Sequence, residues 1–215
     1  MELSGKIKLN EIDAIIFDLG GVILNLDYNL TIDAFKKLGG SNFETLYTQA
    51  HQDHIFDLYE IGELSSSNFI AYLNQFIPNS TPEAIVSGWN AMLLNLPAYR
   101  IHLLEKLKTS HSIFLFSNTN ELHLQSFKGE LQKVYGNGDL LETIFERAYF
   151  SHLVGKRKPN AEAFELVLND FGLNPSRTLF IDDSEQHILG AKQLGIKTYH
   201  LVGEDIIDIF DFPNP

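Results

Sequence analysis

The side chains of Asp18, Ser117, Asn118, Asp182 and Asp183 stand at or just past the ends of short apolar runs, and Lys158 stands ahead of a helical pattern. Each is of a type that does chemistry. Asp18 closes the run Ala14-Ile15-Ile16-Phe17. A carboxylate so placed can attack phosphorus and hold a phosphoryl group, which splits one hard displacement into two easier ones. Asp182 and Asp183 follow Leu179-Phe180-Ile181 side by side. Hard oxygen donors of this kind suit Mg²⁺, which takes one or two carboxylates and keeps water and substrate phosphate in its shell. With Asp18 they would form a dense negative site that a cation makes tolerable. Ser117 offers a hydroxyl and Asn118 a backbone N–H at a predicted helix start, where phosphate oxygens are favoured. Lys158 would neutralise charge on the nucleophile and on a transferring group.

These groups act together only if the chain brings their elements to one edge. Four runs, before Asp18, Ser117, Ser151 and Asp182, are short, apolar and without alternation, which suits strands covered on both faces of a parallel sheet. A fifth, Ile196 to His200, continues it. Glu121–Val134, Ala161–Phe171 and Ser184–Leu194 carry apolar residues at helical spacing, and Gly172 and Gly195 stop two of them. The alternation implies a doubly wound α/β domain, whose ligands sit outside the carboxyl ends of the strands. Asp18, Ser117 and Asp182 all fall there.

The first and second runs lie farther apart than one crossover needs. The stretch between reads as helices only: Asn29–Leu38, Phe43–His51, Ile55–Tyr59, Asn68–Phe76 and Pro82–Leu94. Ser65–Ser67 and Thr81-Pro82-Glu83 look like helix starts. A small helical insertion follows, over residues 26–96. Its aromatic residues Phe56, Tyr59, Phe69, Tyr72, Phe76 and Trp89 read mostly as its own core, with one or two facing a ligand.

The chain has 215 residues, no Cys and a net charge of −12. The charge argues against nucleic-acid binding, which needs Lys and Arg on phosphates. The lack of Cys removes thiol catalysis and disulfide scaffolds. No apolar run approaches a membrane span, so a cytoplasmic protein is expected, a monomer or weak homodimer. His51 and His54 have a zinc-compatible spacing but no third ligand, and read as a solvated or packed pair. The acidic stretch Glu204-Asp205-Ile206-Ile207-Asp208 reads as a solvated last turn.

The order of the motifs resembles the haloacid dehalogenase-like (HAD) superfamily. Ile16-Phe17-Asp18-Leu19-Gly20-Gly21-Val22 is similar to its first motif, Phe116-Ser117-Asn118-Thr119-Asn120 to the second, Lys156-Arg157-Lys158-Pro159 to the third and Phe180-Ile181-Asp182-Asp183-Ser184 to the fourth. With the insertion, the pattern resembles the C1-capped subfamily IA. It implies a Rossmann-like three-layer α/β/α core (residues 1–25 and 97–215) with a parallel sheet and an all-helical cap (26–96). It also implies a Mg²⁺-dependent phosphatase acting on a small phosphorylated metabolite, a sugar phosphate being favoured. Asp18 and Lys158 would be catalytic, and Ser117, Asn118 and Lys158 would bind phosphate. Asp18, the Gly20 carbonyl and Asp183 would hold the metal, with Asp182 direct or through water. Arg157 reads as a solvated neighbour.

One departure matters. Most HAD phosphatases carry a second Asp two residues after the nucleophile as general acid and base, and here that position is Gly20. Loss of a general acid typically forfeits about 10²–10⁴ in rate. The variant resembles a branch of bacterial α-glucose-1-phosphate phosphatases, whose leaving group needs little protonation. Asp27 offers a replacement acid, or else caps the helix that starts at Tyr28. The competing readings are a non-catalytic phosphate or sugar-phosphate sensor, a phosphomutase and a 2-haloacid dehalogenase. Mutases of this family rely on the missing Asp, and the dehalogenase needs no paired late carboxylates.

Overall fold

The computed structural model describes residues 2–39, 54–77 and 79–211. The predicted helix Phe43–His51, and with it the His51 half of the histidine pair, lies outside them. Among the described residues, five strands form one parallel sheet: β1 (Ala14–Phe17), β2 (Ser112–Ser117), β3 (Arg147–Phe150), β4 (Thr178–Asp182) and β5 (Lys197–His200), in the order β3-β2-β1-β4-β5. The strand order reverses at β1, so the crevice at its carboxyl end is a topological switch point, where open α/β sheets bind ligands. Register sharpens the placement. Phe17 pairs with Ile181 across β4 and with Leu115 across β2. Asp18 and Asp182 therefore leave the sheet on the same rung, with Ser117 one residue farther along β2.

The unbroken apolarity of the strands has a plain cause. Ile15 and Phe17 face a core shared with α5 (Ala98–Lys108), α6 (Glu121–Tyr135) and α7 (Leu140–Ile144), while Ala14 and Ile16 face α9 (Ala161–Phe171) and α10 (Glu185–Gln193). The short α8 (Ser151–Val154) follows β3 directly. Both faces are dry, so either parity of side chain contributes about 1.5–3 kcal/mol on burial. Polar residues are held to strand ends, as Thr178 and Ser117 are, or to the edge strand β5.

Residues 28–90 contain α1 (Tyr28–Lys37), α2 (His54–Glu60), α3 (Ser66–Asn74) and α4 (Pro82–Asn90). They bury a separate core of Phe35, Phe56, Tyr59, Phe69, Leu73, Ile77, Ile85 and Trp89, to which the sheet-flanking helix α6 contributes Leu122. Ring packing holds it, with Tyr59 stacked on Phe69 at 4.0 Å. The helices start where side-chain oxygens meet orphan N–H groups: Asp27 accepts from Asn29 N, Ser65 from Asn68 N and Thr81 from Ala84 N. The two connections to the sheet run side by side, with Asn25 N–H donating to Asn95 O and Asp27 N–H to Met92 O. That pairing ends α4 at Asn90, four residues short of the predicted Leu94.

Two readings need correction. Residues 98–108 carry no predicted element, yet form α5. Its apolar pattern is interrupted by the buried Arg100, which spoils the helical stripe. The acidic stretch 204–208 is no simple solvated turn. Asp205 pairs with Arg100 at 2.8 Å, Glu204 accepts from the Tyr199 hydroxyl at 2.7 Å, and Ile206 is buried. No helix among the described residues is long and apolar enough to cross a membrane.

Candidate active site

The loop after β1 is wound tightly. Gly21 N–H donates to Leu24 O and Ile23 N–H to Leu19 O, both at 2.9 Å, with Gly21 in the left-handed region at φ +72°. Glycine is required there twice over, because a Cβ would also stand 2.2 Å from Asp183 Oδ2. The buried Arg100 braces the far side of the loop, donating to Ile23 O at 3.0 Å and Asn25 Oδ1 at 2.9 Å.

Lys158 is wholly buried between two carboxylates, its Nζ 2.7 Å from Asp18 Oδ1 and 2.7 Å from Asp182 Oδ2. A lone buried ammonium would shed its proton, but Asp18 and Asp182 outweigh burial and hold Lys158 above the usual lysine range. Asn118 fixes the backbone that carries it, accepting from Lys158 N–H at 3.0 Å and donating to Lys158 O at 2.8 Å. Asp182 also accepts from Ser184 N–H at 2.8 Å and from His187 Nδ1 at 3.0 Å. Burial pushes its carboxyl up, yet Lys158 and His187 bring it down to about 2.

Asp18, Asp182 and Asp183 each present an oxygen within 4.8 Å of the others. One ammonium faces three carboxylates, so negative charge is in excess. Burial, with Asp18 and Asp182 close by, pushes Asp183 up to about 7. Burial likewise raises Asp18 against the pull of Lys158. Such a cluster of hard oxygens fits a small divalent cation, which would relieve the repulsion.

Above Asp18 lies a cavity of about 160 Å³. The sheet end contributes Asp18, Gly20, Ser117, Asn118, Asp183 and His187, and the helical insertion contributes Tyr28, Glu60, Trp89 and Met92. A Cβ at Gly20 would stand 2.6 Å from Leu26 Cδ1, so Leu26 occupies the room a side chain there would need. A larger, more open hollow of about 700 Å³ lies near Lys8, Asp13, His111 and Arg177. It adjoins the opposite ends of the strands and lacks the acidic cluster, so we place the chemistry at the smaller cavity.

The haloacid dehalogenase-like hydrolase family matches residues 12–195. The chain belongs to this family. Among curated HAD relatives, a D-ribitol-5-phosphate phosphatase of Bacteroides thetaiotaomicron is 30% identical over 86% of this chain and 89% of its own length. A HAD-family enzyme structure from the same organism, a variant in complex with magnesium and inorganic phosphate, is 34% identical. It superposes with a TM-score of 0.83 over 90% of this chain and 96% of its own. A HAD-like hydrolase of Porphyromonas gingivalis is 30% identical with a TM-score of 0.77, covering 88% of this chain and 90% of its own.

The geometry brings together Asp18, Ser117, Asn118, Lys158, Asp182, Asp183 and the Gly20 loop that the motifs singled out. Ser117 does not cap the helix after it, since Asn120 holds that place, accepting from His123 N–H at 3.0 Å. Asp27 caps α1 and lies outside the cavity lining. Arg157 is no solvated neighbour: it pairs with Asp57 and Glu60 of α2, which is a tertiary contact no local spacing encodes. Of the aromatic residues weighed in the insertion, Trp89 faces the cavity, stacked on His123 at 4.9 Å. Glu60, Tyr28, His123 and His187 escaped the sequence reading. Only His187, five residues after Asp182 on the helix that follows, had a local signal.

Proposed function

We propose that this chain is a Mg²⁺-dependent phosphatase that hydrolyses a small phosphomonoester of the sugar or polyol class through an aspartyl-phosphate on Asp18. The observation that carries the reading is Asp18 held 2.7 Å from a buried Lys158 at the rim of a three-carboxylate cluster. Asp18 attacks phosphorus, the bond to the ester oxygen breaks, and the departing oxygen takes a proton. Water then attacks the phosphorus, releasing phosphate and restoring the carboxylate. Lys158 offsets charge on the nucleophile and on the phosphoryl oxygens. Ser117 and the Asn118 N–H bind those oxygens. Asp18, the Gly20 carbonyl and Asp183, with Asp182 direct or through water, would hold Mg²⁺, whose chemistry is to polarise the phosphoryl group and orient it for in-line attack. Residues 26–96 act as a cap over a core of residues 1–25 and 97–215. The relatives named for a ribitol phosphate and for a magnesium and phosphate complex support the substrate class and the metal. We place the protein in the cytoplasm as a monomer or weak homodimer, with no nucleic-acid or membrane partner.

Gly20 favours a second reading, a phosphate sensor without turnover, because Leu26 fills the room of the absent acid. Phosphate release from a panel of sugar and polyol phosphates, with and without Mg²⁺, decides between them. Metal-dependent release that Asp18→Asn abolishes establishes the phosphatase. Mg²⁺ binding with no release from any substrate establishes the sensor.

A further inference from the structure

With the phosphoryl group at Asp18, the rest of the cavity must receive the alcohol portion of any substrate. What the helical insertion adds to its lining is mostly apolar or aromatic: Leu26, Tyr28, Trp89, Met92 and Leu93. The charged side chain it adds is Glu60, the last residue of α2, which meets Arg157, next to Lys158 in the core and also in the cavity wall. Arg157 Nη2 lies 2.9 Å from Glu60 Oε2, while Arg157 Nη1 is taken by Asp57. The contact is an ion pair without hydrogen-bond alignment, and Glu60 Oε2 and Arg157 Nε are buried with no hydrogen-bond partner. Two carboxylates thus share one guanidinium, leaving acceptor capacity in excess. Burial, with Asp57 close by, holds the Glu60 carboxyl above the usual carboxylate range even with Arg157 beside it. Hydroxyl groups are donors and acceptors at once, so a diol meets both partners with a small shift of either side chain.

We propose that Glu60 and Arg157 form the subsite that recognises hydroxyl groups on the substrate's alcohol portion, so that the cavity prefers a polyhydroxylated phosphomonoester over a simple alkyl one. The assignment rests on the phosphatase reading for its place in the reaction but not for its test. Glu60 belongs to the helical insertion and Arg157 to the sheet domain, so a bound polyol would bridge the two. The preference is therefore built at a contact that exists only when they meet.

The test uses the full chain carrying Asp18→Asn, so that binding is read without turnover. Affinities for D-ribitol 5-phosphate and ethyl phosphate are measured with Mg²⁺ present, and their ratio is the readout. A hydrogen bond to a charged group is worth about a tenfold to hundredfold change in binding. Adding Glu60→Gln, nearly isosteric, should cut the ratio at least tenfold. Asp57→Asn, which touches the same guanidinium from outside the cavity, should leave most of the ratio in place. An unchanged ratio in Glu60→Gln overturns the subsite. So does an equal fall in Asp57→Asn, which would make the pair a mere tie between the insertion and the core. Absence of turnover in the unmodified chain counts against the phosphatase alone.

Discussion

Asn118 holds Lys158 by both of its backbone polar groups, its side-chain oxygen accepting from the N–H at 3.0 Å and its side-chain nitrogen donating to the carbonyl at 2.8 Å. Asn118 follows β2, whereas Lys158 belongs to the loop ahead of α9. The amide is therefore a clamp between two stretches of chain that share no backbone ladder, and it sets where the buried ammonium meets Asp18.

Asn118→Ala removes both bonds without touching the ammonium itself. Misplacing a reacting or neutralising group by about 1 Å can cost about 10²-fold, and we expect a fall in kcat of that order. Replacing the clamp should cost only about 1–3 kcal/mol of stability, at about 0.5–1.5 for each bond. Steady-state kinetics beside urea unfolding checks it; a loss of stability with kcat intact would show that Lys158 needs no such clamp.

Gly20 lacks a side chain, and the nearest obstacle to one is the flexible end of Leu26. The double variant Gly20→Asp with Leu26→Ala restores both a carboxyl and the room for it. General acid catalysis contributes about 10²–10⁴, so turnover of an alkyl phosphate should rise while that of an aryl phosphate, whose leaving group needs little protonation, should change less. If the two substrates respond alike, the leaving group already receives its proton from elsewhere in the site.

Gly21 is in the left-handed region and faces Asp183. Gly21→Ala adds about 1–2 kcal/mol of backbone strain and drives a methyl group against the carboxylate. Mg²⁺ titration calorimetry should show affinity reduced at least tenfold, with the secondary structure by circular dichroism retained. Wild-type affinity in the variant would remove Asp183 from the proposed ligand set.

Asp205 is lightly buried, which alone would raise its carboxyl, but Arg100 and Tyr99 bring it below the ordinary aspartate range. A group depressed on folding lends stability in full above its unfolded pKa, about 3.9, and loses it as pH falls through the lower folded value. Asp205→Asn should therefore lower stability at neutral pH and narrow its difference from wild type below about pH 4. Unfolding midpoints at pH 7 and pH 3.5 provide the comparison; a constant difference would locate the effect in packing instead.

Much of this molecule was legible from order alone. The apolar runs marked the buried strands because a parallel sheet covered on both faces favours apolar side chains of either parity, and Asp18, Ser117, Asn118, Asp182 and Asp183 stood at such a run's end or just beyond, with Lys158 ahead of a helix. Motif order and strand-end placement thus located Asp18, Ser117 and Asp182 together. Helix starts at Asp27, Ser65 and Thr81 were equally local, since a cap is a contact between neighbours. Helix α5 was not, because Arg100 sits among its apolar positions for a partner, Asp205, 105 residues away.

The sequence by itself determined the sheet, the insertion and the chemical types at the centre, because these follow from periodicity and from residues within a few positions of one another. Only the tertiary structure decided that Leu26 fills the space beside Gly20, that Arg157 turns to Glu60 rather than to water, and that Trp89 rather than Phe56 or Phe69, which pack on it, faces the cavity. Those contacts join segments far apart in the chain. Their energies depend on distance in space, which no local pattern of residues records.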